Sequence, residues 1–219
     1  MTKQQSMGKC YLCGKTFGKA AMTRHLSKCS QAQTPAAPGK QKTTPAFHLV
    51  VEGRWAKAYW MHVAAPVKAP LSKLDAFLRH IWLECCGHMS AFVIGGIRYT
   101  SSPMEEEEER GMATPLSRVV DVGTNLFYEY DFGSTTELGL KVVGFWNQDK
   151  PKGAMQLLAR NEPPQSICDQ CKTQPAMKIC IECEAAWLCE SCAAAHECSE
   201  EMFLPVVNSP RVGVCGYTG

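Results

Sequence analysis

Two hydrophobic periods alternate along the middle of this chain. Phe47 to Val51 and Ala58 to Ala65 are short runs rich in β-branched and aromatic residues, which predicts two strands of a hairpin turned near Gly53. From Ser72 the spacing lengthens. Leu74, Phe77, Leu78, Ile81, Trp82 and Cys85 fall three and four residues apart until Gly87 stops the run, the pattern of an amphipathic helix with one wide apolar face. Ala91 to Thr100, Leu126 to Phe132, Leu138 to Phe145 and Met155 to Ala159 return to strand pattern. The expected class is α+β, with a central mixed, largely antiparallel sheet covered by the helix.

Two seams bound this segment. Ser30 to Pro45 has no apolar periodicity and is rich in Pro, Ala, Gln, Thr and Lys, as in a mobile linker, and Pro163-Pro164 breaks the pattern again. The 219 residues therefore divide into a small module at 1–30, a linker at 31–45, a globular domain at 46–160 and a further module with a tail at 161–219. The five glutamates Glu105 to Glu109 read as a solvated loop. No apolar run approaches the roughly 20 residues of a membrane-spanning helix, and the start lacks a secretory h-region, so the expected compartment is the cytoplasm.

Charge separates the segments further. The net charge of +2 conceals +8 in residues 1–45, which hold eight Lys/Arg and no acid, and −5 in residues 161–219, which hold three basic and eight acidic residues. Affinity for nucleic acid should begin at the N-terminus, while the acidic end is the better surface for a protein partner.

Thirteen cysteines in a chain without an export signal point to metal rather than disulfides, since thiolate is a preferred zinc ligand and the cytosol keeps thiols reduced. Ten of them lie in two groups. The first, Cys10-x2-Cys13…His25-x3-Cys29, has a knuckle followed by a helix face that carries two ligands one turn apart, with Phe17 and Met22 as its small apolar seam. It resembles the C2H2 zinc-finger family in its C2HC variant, with one residue fewer before His25. That resemblance implies a base-reading register at Arg24, Ala21 and Gly18, of which only Arg24 reads an edge. Lys9, Lys15, Lys19 and Lys28 are suited to phosphate, so contact tolerant of sequence is expected.

The second group is Cys168-x2-Cys171-x8-Cys180-x2-Cys183-x5-Cys189-x2-Cys192-x3-His196-x1-Cys198, enough for two ions. Its spacing resembles the B-box family of zinc domains. The resemblance implies one site at Cys168, Cys171, Cys189 and Cys192 and another at Cys180, Cys183, His196 and Cys198, and it suggests protein binding. Cys215 is an alternative to Cys198. With the finger, three zinc ions are expected, each with four protein ligands and therefore structural rather than catalytic.

In the centre, Leu126-Phe127-Tyr128-Glu129-Tyr130-Asp131-Phe132-Gly133 and Cys86-Gly87-His88-Met89-Ser90-Ala91-Phe92 carry a further resemblance, to the plasmid pRiA4b Orf-3-like family, over about residues 46–160 and the tail from Asn208 to Tyr217. It implies a compact α+β domain of undefined activity. Relatives commonly continue the Tyr-Asp-Phe-Gly motif with an acid, a tryptophan and a histidine, where this chain has Ser134-Thr135-Thr136-Glu137-Leu138. Leu138 transfers no proton, so an enzymatic role loses ground. Asp131 is expected to cap a turn and His88 to bond backbone at a corner, with Cys85 and Cys86 as buried apolar thiols. The sequence favours a non-enzymatic adaptor: nucleic acid at the finger and a protein at residues 161–219 or on the central domain. The alternative is a metal-dependent hydrolase or nuclease using His88, Asp131 and Glu137.

Overall fold

The computed structural model describes residues 6–32, 44–103, 109–148 and 154–219. The finger comprises strands β1 (Met7–Cys10) and β2 (Thr16–Gly18) and helix α1 (Lys19–Ala32). The central domain runs β3 (Thr44–Gly53), β4 (Trp60–Pro66), α2 (Leu71–Leu78), β5 (Ser90–Ile94), β6 (Ile97–Thr100), β7 (Arg110–Gly111), β8 (Asn125–Tyr130), β9 (Thr136–Gln148) and β10 (Gln156–Asn161). The C-terminal module adds β11 (Lys178–Cys180), β12 (Ala186–Leu188), α3 (Glu190–Ala194) and β13 (Phe203–Pro205).

One ten-stranded sheet, in the order β2-β1-β10-β4-β3-β9-β8-β5-β6-β7, organises the molecule, and every pairing in it is antiparallel except β6 with β7. The main core lies on the face under α2, where Leu49, Val51, Met61, Val63, Leu74, Leu78, Trp82, Phe92, Tyr128 and Leu140 meet. The opposite face of β4 meets the finger. Trp60 and Ala64, with Ala46, Trp146, Leu158 and Ala159, close over Met22 and Leu26 of α1 and over Cys10 and Cys29. All seven residues of β4 are buried because the strand is covered on both sides.

Three expectations change here. The segment 91–100 is not one strand but a tight hairpin, because Gly95 and Gly96 both take positive φ, 56° and 82°, as a two-residue turn requires. The helix ends its α-helical part at Leu78 and continues as a single wider π turn, Arg79–Leu83, which sets Cys85 and Cys86 at its exit. The finger is not a detached bead. Its strand β1 continues the sheet edge through Gly8↔Asn161, Lys9↔Arg160 and Cys10↔Ala159, and α1 reaches Ala32 while β3 begins at Thr44. Much of the expected linker, 33–43, and Glu105 to Glu108 lie outside the described residues. A composition that lacks periodicity marks a connection, but docking is set by the apolar face of the finger itself, and Leu26 on that face is fully buried.

The C-terminal module is an insertion. Its three strands form a separate sheet, β12-β11-β13, after which the chain returns to the central domain. Asn161 Nδ2 donates to Asn208 Oδ1 and Asn208 Nδ2 to the Asn161 backbone carbonyl, Ser209 Oγ donates to the Trp82 carbonyl at 2.5 Å, and Arg211 is fully buried against Asp131.

Candidate metal centres

Among the described residues, four groups of Cys and His bring their ligand atoms within 4.8 Å of one another, and all thirteen cysteines are free thiols. In the finger, the β1–β2 turn presents Cys10 and Cys13, and α1 presents His25 and Cys29 four residues apart on one face. Cys13 Sγ lies 3.2 Å from His25 Nε2, and Phe17 stacks on the imidazole at 4.3 Å. Gly14, at φ 75°, turns its N–H back to the Cys10 carbonyl at 2.8 Å, which aims both sulfurs to the same side.

The C-terminal module interleaves its pairs. Cys168 and Cys171 join Cys189 and Cys192, while Cys180 and Cys183 join His196 and Cys198, with sulfur separations of 3.9 Å for Cys171–Cys189 and 3.5 Å for Cys183–Cys198. The position after the second cysteine of a knuckle again takes positive φ, but here it is Lys172 at 57° and Glu184 at 48°. A side chain in that region costs about 1 kcal/mol relative to glycine. Lys172→Gly and Glu184→Gly should therefore each hold or raise stability, by up to about 1 kcal/mol, in thermal unfolding of the metal-loaded protein. A clear destabilisation by either change would show that those backbones are not strained.

The thiols share an electrostatic pattern. Hydrogen bonds from Thr173 pull Cys171 down to about 6, and the N–H groups of Cys183 and Glu182 bring Cys180 to about 7 against the opposing effect of burial. Contact with neighbouring cysteines, Cys189 and Cys183 respectively, pushes Cys192 and Cys198 up to about 12, and burial together with Cys13 does the same to Cys29. In each group one sulfur ionises readily and its neighbour resists, because two adjacent thiolates repel; a divalent cation between them removes that conflict.

The fourth group was not legible as a ligand set. Cys85, Cys86 and His88 leave the π turn together, and Cys215 arrives from the tail. Cys86 and Cys215 are exposed and Cys85 is half-buried, so the expectation of buried apolar thiols is corrected. His88 Nε2 faces sulfur instead of backbone, at 2.9 Å from Cys86 and 3.3 Å from Cys215. Arg211 Nη2 donates to Cys85 Sγ at 3.4 Å and to Asp131 Oδ2 at 2.7 Å. The open choice between Cys198 and Cys215 is also settled in space, since Cys198 stands beside Cys183 and Cys215 beside Cys86.

Of the alternative trio, His88 and Asp131 approach to 3.5 Å, whereas Glu137 is engaged by Arg54 and Trp55. Asp131 does cap its turn, accepting from the N–H groups of Gly133 and Ser134, and its own φ is 65°. Among the cations, Lys9, Lys15, Arg24 and Lys28 are exposed, but Lys19 forms an ion pair with Glu52 that holds α1 to the sheet. A buried pair also escaped the sequence reading: His48 Nε2 and His62 Nδ1 are 2.9 Å apart beneath the finger, and burial depresses them to about 4 and about 3, so both are neutral. His48 lies in a run of four buried residues in β3 and His62 in the fully buried β4, where no alternation of polar and apolar positions marks them.

No protein-family model and no curated protein matches this chain. Among solved structures it is similar to a protein of unknown function, MM3350, from Methanosarcina mazei Go1, with 13% identity over 52% of this chain and 67% of that one and a TM-score of 0.44. No described helix is long and apolar enough to cross a membrane.

Proposed function

We propose that this chain is a zinc-binding, non-enzymatic adaptor. The observation that carries the reading is the closure of the finger and module clusters: each gathers four soft or borderline donors and leaves no place for a reacting water, the arrangement of structural zinc. Zinc would hold Cys10, Cys13, His25 and Cys29 in the finger, and the two interleaved sets in the module. The central α+β domain would be the scaffold between them, since its sheet carries the finger strand β1 beside β10 and the chain returns to it after the module.

The finger then contacts nucleic acid by charge, through Lys9, Lys15, Arg24 and Lys28, which face solvent. The module presents another chemistry: exposed Glu182, Glu184, Glu190, Glu197, Glu200 and Glu201 alongside exposed Met177 and Ile181. That surface repels phosphate and suits a protein partner with basic and apolar groups. Replacing the four exposed cations by alanine in the full chain should weaken retention on nucleic acid of any sequence and flatten its dependence on log salt by roughly 3 units of slope. Retention and slope that stay at the unmodified values would remove the finger from this role.

A further inference from the structure

We infer that Cys85, Cys86, His88 and Cys215 bind a fourth zinc ion, which clasps the C-terminal tail to the central domain. The inference rests on residues separate from those of the adaptor reading, so either can fail alone.

The distances fit an ion better than they fit chance contact or a disulfide. Zinc–sulfur bonds of about 2.3 Å in a tetrahedron place sulfurs roughly 3.8 Å apart, with sulfur and nitrogen slightly closer. Here Cys85 and Cys86 are 3.6 Å apart, Cys86 and Cys215 3.9 Å, and His88 Nε2 lies nearer to its sulfurs. A disulfide would need about 2 Å. Four donors converge from two segments separated by well over a hundred residues of sequence, which a random surface does not provide. Cys215 itself is held at φ 48°, a left-handed conformation that a non-glycine residue keeps only where its surroundings impose it.

The neighbours complete the site. Three thiolates on a divalent ion leave one negative charge, and the guanidinium of Arg211 reaches Cys85 Sγ while its carboxylate partner Asp131 stands beside His88. Asp131 Oδ2 lies 3.5 Å from the same Nε2 that faces the sulfurs, so its part is to fix the guanidinium beside Cys85 and to cap its turn rather than to orient the imidazole through its other nitrogen. Soft thiolates with one imidazole select zinc over magnesium or calcium. Binding would expel the thiol protons to solvent and involves no change of oxidation state.

Position gives the ion a task. The inserted module leaves the central domain after Asn161 and returns at Asn208, and an ion on Cys215 would fasten the last part of that return. Cys86 and Cys215 are exposed and none of the four ligands is buried, whereas each of the other three groups has at least one buried sulfur, so this site should surrender its ion first to a chelator.

Native mass spectrometry of the full chain loaded with zinc is the test. Four ions are expected, falling to three in Cys215→Ser and in His88→Ala, with faster amide exchange over residues 212–217 in both. His88→Cys, which restores a fourth donor, should keep four. Cobalt substitution should show the thiolate charge-transfer band of this site lost in Cys215→Ser. An unchanged ion count in Cys215→Ser and His88→Ala would overturn the inference, as would a peptide map showing Cys86 and Cys215 joined by a disulfide in freshly purified protein.

Discussion

Stripped of metal, the protein should lose the fold of residues 162–207 while strands β3 to β10 of the central domain survive. The buried cluster of the module consists of Cys168, Cys180, Leu188, Cys189 and Ala193, so three of its five members are the sulfurs themselves. Even with Ala176, Ile179 and Leu204 buried elsewhere in the module, so small an apolar set cannot offset the conformational entropy of some forty-five residues, at roughly 1–2 kcal/mol for each backbone unit. The ions must supply the difference, and structural zinc contributes on the order of 10 kcal/mol per site. The central domain has its own apolar core and needs none. The finger should fall between the two, because Trp60, Trp146 and Leu158 complete its core from outside. Hydrogen exchange in a strong chelator reads all three. The expected order of deprotection is the β11–β13 sheet first, the finger next and β3, β4 and β9 last. Protected amides at Lys178 to Cys180 in metal-free protein would sink the argument.

Much of this architecture was legible because periodicity reports burial. Leu74, Leu78 and Trp82 mark the buried side of one helix, and the strand runs mark the sheet on which it lies. The cysteine groups of the finger and module were legible for another reason: both knuckle pairs and helix pairs place ligands two to four residues apart, so local sequence shows half of each site. The fourth group has no such signature on its far side. Cys215 stands alone in the tail and meets Cys86 only after the chain has closed on itself, a fact carried by Asn208, Ser209 and Arg211 rather than by any spacing. The docking of the finger was hidden in the same way. Trp60 reads as one more strand residue, and nothing near it says that its indole faces a segment fifty residues earlier.

That indole carries the second large effect. Trp60 is fully buried against the backbone of Gly8, so closely that a Cβ at Gly8 would come within 2.4 Å of the ring. Its Nε1 donates to Ser6 Oγ at 2.7 Å, and its backbone N–H donates to Asn161 Oδ1 at 2.9 Å, which ties β4, β1 and β10 together at one point. Trp60→Ala removes the side-chain ties, leaves a cavity under α1 and should cost 3–5 kcal/mol, roughly a 10 °C fall in melting temperature for a chain of this size. The four ligands themselves are unchanged, so the ion should remain bound while β1 separates from β10. Unfolding should then show two transitions where the intact protein shows the finger and sheet together, and amides of Met7 to Cys10 should exchange freely. Phe145→Ala is the control, because that ring is 67% exposed and its loss should change stability by no more than about 0.5 kcal/mol. If Trp60→Ala leaves those amides protected, the finger is held by its strand pairing alone and the shared core contributes little to the contact.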